Sequence, residues 1–283
     1  GLAGSVANLG STAGMLLAAG VAASVTTFAS SATLTGWAWR APFLLGGVIA
    51  SAAYVLRCHL PETDCGPSEK DADKREAPLL RAIREQPRIM LATLLFTSGY
   101  GIVDYLTMVL LPTYAHEFGG IAEHLALRIN TVGQALALLI VPISGWLSDR
   151  VWTRRAALIA AFAAEALISW EAFEFAGNHG VAGLWLAQLP FAFLLAVVMG
   201  VAPAMLAEQF SAGYRVSAHA VSFNIGIGIA GGTAPMVATA LIKATGNPMA
   251  PAVYLISAAL LAVVGALMLR DRSRDRMNAT DKD

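Results

Sequence analysis

Charged residues make up only 13% of this 283-residue chain, against 57% hydrophobic ones. That is too little charge to clothe a soluble domain, and it points to a multi-span membrane protein. Cysteine is nearly absent. Cys58 and Cys65 flank a polar stretch with His59 between them. Two thiols and one histidine at irregular spacing make a poor metal site, so ordinary reduced cysteines are expected. The remaining histidines, at 116, 124, 179 and 219, are scattered, so no metal or other cofactor is expected. An intramembrane aspartyl protease needs two aspartates within the bilayer, and only Asp104 qualifies. The formal net charge is zero, which implies no acidic or basic partner and no nucleic acid. No signal peptide precedes the first apolar run. The chain begins at Gly1 rather than Met, and the expectation is that its natural start is missing.

What the chain has instead is apolar runs, each long enough for the roughly 20 residues that a spanning helix needs. They fall at about 3–29, 38–58, 89–113, 125–147, 155–175, 181–206, 216–243 and 250–269. The reading is an all-α integral membrane protein with eight transmembrane helices. Residues 59–88 form the one long polar segment, a linker with some amphipathic helix near Leu79–Ile83, and a charged tail follows the last span. The expected division is a two-helix partial bundle (1–58), a cytoplasmic linker (59–88), a six-helix bundle (89–270) and a cytoplasmic tail (271–283). With the linker inside, alternation leaves Arg40, Arg128 and Lys243 outside and places the rest of the 19 lysines and arginines inside. That asymmetry sets the orientation.

Between two of the runs lies Gly145-Trp146-Leu147-Ser148-Asp149-Arg150, followed by Arg154 and Arg155. So much charge in a short inner loop is either a plain topological anchor or a hairpin that holds helix ends together, as a gate would. Asp149 and Arg150 can pair at the helix end. Glu208 and Arg215 can pair across another inner turn, and the four together could form a cluster that tightens when the inner face closes.

The spacing Gly145-x-x-x-Asp149-Arg150-x-x-x-Arg154-Arg155 resembles the loop motif of the major facilitator superfamily of secondary transporters, which usually has a further glycine where Trp152 stands. Gly36-Trp37-Ala38-Trp39-Arg40-Ala41-Pro42-Phe43 resembles the start of that superfamily's sixth helix. Leu111-Pro112-Thr113-Tyr114 resembles the outer end of its seventh. Glu208-x-Phe210 with Arg215, Ser217-Ala218 and Phe223-Asn224 resembles the run joining its tenth and eleventh. Together these look like the metabolite:proton symporter family, which includes proline/betaine, citrate, α-ketoglutarate and shikimate transporters, with the closest likeness to the proline/betaine branch. The resemblance implies a twelve-helix major facilitator fold. This chain would supply the last two helices of the N-terminal half and the whole C-terminal half, with the first four helices absent.

Several polar residues inside the spans then become candidates for a substrate or proton pathway. A carboxylate near the bilayer centre costs about 2.5–3.5 kcal/mol on insertion scales. Asp104 lies in a stripe with Thr97, Tyr100 and Thr107, bordered by Tyr105. The stripe can face a watery cavity, where Asp104 could take up a proton or pair with a cationic group, or it can bond a neighbouring helix. Asn130 and Gln134 share one helix face, and Gln188 sits beside Pro190. Each can bind a polar solute or a neighbouring helix. Glu165, near mid-depth, reads as a structural partner, while Glu171 and Glu174 read as solvated near the outer interface. His219, Ser222 and Asn224 open a glycine-rich helix. Its Gly226-x-Gly228-x-x-Gly231 matches the dinucleotide-binding pattern, but no strand precedes it, so packing or bending is the expected role.

The function expected is proton-coupled symport of a small polar metabolite, an organic acid or a zwitterion such as proline or betaine, by alternating access in the bacterial inner membrane. The alternative is a truncated, non-transporting remnant. The partners would be a small solute, protons, the bilayer and the missing N-terminal helices. The 283 residues alone are expected not to transport. The absence of heptads in the tail weakens an osmotic role.

Overall fold

The structure is a computed structural model that describes residues 1–28, 33, 36–59, 78–210, 213 and 215–271. Cys65, most of the linker and nearly all of the tail lie outside the described residues. All regular elements among the described residues are helical. We number them α1 (Leu2–Phe28), α2 (Ala41–His59), α3 (Pro78–Glu85), α4 (Pro87–Tyr105), α5 (Leu111–Glu117), α6 (Glu123–Arg150), α7 (Arg154–Asn178), α8 (Gly180–Ala207), α9 (Arg215–Phe223), α10 (Gly232–Thr245) and α11 (Ala250–Met268). A π-helical turn at Leu106–Leu110 joins α4 to α5, and a second at Asn224–Gly231 joins α9 to α10, so each set forms one continuous rod.

Seven helices or continuous rods among the described residues are long and apolar enough to cross a membrane. The eighth expected span corresponds to α1, whose described apolar stretch is Leu2–Ala18. Backbone groups have no water to bond in lipid, so a helix, which satisfies them internally, is the form these sequences must take. The amphipathic segment of the linker is observed as α3. Its Ala82 is buried against Phe210 and Ala218.

The core lies between α4, α7, α8 and α11, with α6 against α8. Phe96, Phe162, Phe173 and Phe191 are wholly buried in it. Lipid is as apolar as a leucine side chain, so close packing rather than water exclusion must hold such a bundle. One tight crossing runs between α4 and the second π turn. A Cβ on Gly231 would lie 2.8 Å from the Gly101 carbonyl oxygen, and one on Gly226 would collide with the Thr97 hydroxyl. Two glycines of the apparent dinucleotide motif, Gly226 and Gly231, therefore serve helix packing, whereas a Cβ on Gly228 would meet nothing within 4 Å. α1 joins the bundle through α6 and α8, whereas α2 buries no residue.

Candidate functional site

One end of the bundle gathers the N-termini of α1, α7 and α9 with the C-termini of α6, α8 and α11. Arg154 is the hub. Its guanidinium reaches Asp149 at 2.8 Å and also Glu208, so one buried arginine joins the end of α6 to the end of α8. Asp149 further accepts from the backbone N–H of Leu2 at 2.9 Å. Gly145, one turn back, leaves room for Ser5 to come close.

The pairings differ from those the loop spacing suggested. Arg154, not Arg150, is the arginine on Asp149, because Arg150 stacks on Trp146 with its guanidinium carbon 4.9 Å from the ring centroid. Glu208 is held by Arg154, while the Arg215 Nε donates to the Phe210 carbonyl at 3.0 Å. Arg155 ties α7 to the end of α11: its backbone N–H donates to Asp271 at 3.2 Å and its side chain to the Leu267 carbonyl. The loop turns without left-handed backbone. Val151 and Trp152 both donate to the Leu147 carbonyl, and no non-glycine residue described has positive φ, so a tryptophan can stand there. Sequence reasoning missed Gln209, which is buried and exchanges two hydrogen bonds with the Arg270 backbone at 2.7 and 3.1 Å.

A second polar node lies within the bundle. A π turn disturbs the regular ladder and leaves carbonyls short of partners. At the first π turn those carbonyls are met from two other helices. The Asn130 amide of α6 donates to Met108 O at 2.9 Å; the Gln188 amide of α8 donates to Thr107 O at 3.3 Å and to the Asn130 carbonyl oxygen at 3.1 Å. The Gln188 side-chain oxygen is buried without a partner. Gln134, one turn along α6, is half-buried.

The stripe on α4 divides between neighbours. Thr97 donates across to the Ser222 carbonyl at 2.9 Å. The Tyr100 ring is buried 6.3 Å from those of Phe96 and Phe162. Thr107 bonds back to Val103 O at 2.8 Å. Asp104 and Tyr105 are half-buried, and Asn224 is exposed with its amide on the Ala220 carbonyl at 2.7 Å. Glu165 is fully buried, and both carboxyl oxygens lack a hydrogen-bond partner among the described residues. Its depth in an apolar span was the only sequence signal. The described residues contain no group of three or more candidate metal ligands.

The family model of the Major Facilitator Superfamily matches residues 97–283. The Escherichia coli K12 proline/betaine transporter is 27% identical over 294 aligned residues, covering 99% of this chain and 58% of the relative. The Salmonella typhi citrate-proton symporter is 28% identical, with 88% and 57% covered. The Escherichia coli K12 shikimate transporter is 26% identical, with 92% and 60% covered. The chain thus spans somewhat over half the length of these curated relatives.

Proposed function

Since the chain belongs to the Major Facilitator Superfamily, we propose that it forms the C-terminal half, with the last two helices of the N-terminal half, of a proton-coupled symporter for a small polar metabolite. It is a multi-pass protein of the bacterial inner membrane. The observation that carries the proposal is the Arg154 bridge. It binds the ends of α6 and α8 on the face that the arginine asymmetry assigns to the cytoplasm, and Asp149 extends it to α1. Two bundles that rock about a midplane site must part at such a face. Because α6, α7 and α8 belong to one bundle, rocking leaves the Arg154 bridge intact and breaks the link from Asp149 to α1 of the other bundle. That link, with Asp149 held in place by Arg154, keeps the inward face shut until substrate and proton binding favour the other state.

On this reading the cavity wall is completed by further helices of the same transporter. The solute class follows the relatives, whose names cover a zwitterion and organic acids. Asp104, with Tyr100 and Tyr105 beside it, is the proposed proton-bearing site; Gln134 is half-buried like Asp104, and Asn224 is the exposed pathway residue. The test is reconstitution of the protein as expressed from its gene into proteoliposomes, with labelled proline, betaine, citrate and shikimate. An inward acid gradient should drive uptake of one of them, and a protonophore should abolish it. No gradient-driven uptake of any solute would leave the non-transporting remnant as the reading.

A further inference from the structure

Glu165 is the group that the proposed cycle leaves without a task. α4 and α7 are separated by two reversals of the chain, so they run in the same direction across the bundle. Both pack against α11, and they meet through rings: Phe162 lies 5.7 Å from Phe96 and 6.3 Å from Tyr100, edge to face. From that contact, Asp104 lies four residues beyond Tyr100 and Glu165 three beyond Phe162. At 1.5 Å per residue, these are climbs of about 6 and about 4.5 Å. Asp104 and Glu165 therefore lie beyond the same ring contact, on the helix faces that carry Tyr100 and Phe162.

Their surroundings differ. Asp104 is half-buried, whereas Glu165 has no accessible surface. The nearest hydroxyl on its own helix, Ser169, donates to the Glu165 backbone carbonyl and not to the carboxyl. α8 carries no ionisable side chain between Gly180 and Ala207, and α11 carries only Tyr254. α5 brings Tyr114, His116 and Glu117, with Tyr114 set against Phe173, further along α7. Arg154 and Arg155 at the start of α7 are engaged as described above, and Glu171 and Glu174 lie one to two turns or more beyond. On the rod of α9 and α10, whose Gly231 meets Gly101, Arg215 and His219 lie about three turns or more before that crossing and Lys243 about three turns beyond it, so no described cation stands level with the pair. An ionised carboxylate with neither donor nor counter-ion is the costliest group to bury, and two within range of each other cannot both ionise cheaply.

We propose that half-buried Asp104 and buried Glu165 form a carboxyl pair that binds one exchangeable proton, with Glu165 holding it and Asp104 serving as its port to water. The step is simple proton exchange: H⁺ from water adds to an Asp104 carboxylate oxygen, and a proton passes to Glu165, leaving Asp104 ionised again. Release reverses the path. This deepens the symport reading, on which it rests for its role in the cycle; the existence of the pair does not depend on transport.

Infrared pH titration of the purified protein in lipid nanodiscs tests it. The protein should show a protonated-carboxyl C=O stretch at neutral pH that is absent in Glu165→Gln. In Asp104→Asn the band should give way to carboxylate at a pH lower by about one unit or more, because the like charge is gone. Overturning results are an unchanged spectrum in Glu165→Gln or an unmoved midpoint in Asp104→Asn. Should Glu165→Gln fail to purify as a single species, the Asp104→Asn midpoint decides alone. Uptake without proton coupling but with the band present removes the symport reading and keeps the pair. Proton-coupled uptake without the band does the opposite.

Discussion

Arg154 and Glu208, 54 residues apart in sequence, pair where α7 begins and α8 ends, and the same guanidinium reaches Asp149 at 2.8 Å. The Arg154 side chain is only 6% exposed and that of Glu208 11%, so this contact differs in kind from a surface ion pair. Removing one partner of a buried network strands the others, which typically costs about 3–5 kcal/mol. Arg154→Ala should lower the melting temperature in detergent markedly. Arg154→Lys should rescue little of it, because one ammonium is a point charge and cannot span two carboxylates as the planar fork does. Full rescue by lysine would show that charge alone, not the two-armed bridge, holds these ends.

A contrast among glycines tests the crossing of α4 with the second π turn. Gly226→Ala should destabilise by about 1–3 kcal/mol, the usual range for overpacking, since its added methyl meets Thr97. Gly228→Ala should be neutral or slightly stabilising, because nothing lies within 4 Å of its added Cβ. Fluorescence-detected size exclusion after heating separates the two. Equal tolerance would remove close packing as the reason for these glycines.

The positions of most spans could be read from the sequence because the bilayer enforces them: an apolar run near 20 residues has one inexpensive form. α6 through α11 accordingly lie within a few residues of their expected limits. The π turns could not be read. Leu106–Leu110 carries neither proline nor glycine, and what supports it is Asn130 and Gln188 arriving from other helices. The arginine-end residues were legible as a cluster, but their pairing was not. Spacing puts Arg150 beside Asp149, whereas helix direction turns Arg150 onto Trp146 and presents Arg154. Glu165 looked like a residue with a structural partner. Only packing reveals that no hydrogen bond from the described residues reaches its carboxyl.

The amides at the first π turn give a test that separates support from binding. Asn130→Ala leaves the Met108 carbonyl and the Gln188 amide with one partner fewer, and an unmet buried polar group costs about 1–3 kcal/mol. The melting temperature should fall, and uptake by the protein that remains folded should keep its KM. A raised KM with unchanged melting would instead make Asn130 a solute contact.

Asp104→Asn bears on the proposed cycle itself. Asparagine keeps the shape of the side chain and cannot carry a proton, so any step in which Asp104 is protonated from the acidic side stops, whereas solute exchange without net proton movement need not. Proteoliposomes holding the variant should lose uptake driven by an inward acid gradient and retain exchange of labelled for unlabelled solute. The sign in pH is fixed by the same reasoning. Loading the site requires the proton, so uptake by the unmodified protein should rise as the outside is acidified, and the variant should be flat over that range. Uptake by Asp104→Asn that still climbs with acidity would place the coupling proton elsewhere in the protein and remove Asp104 from the coupling step.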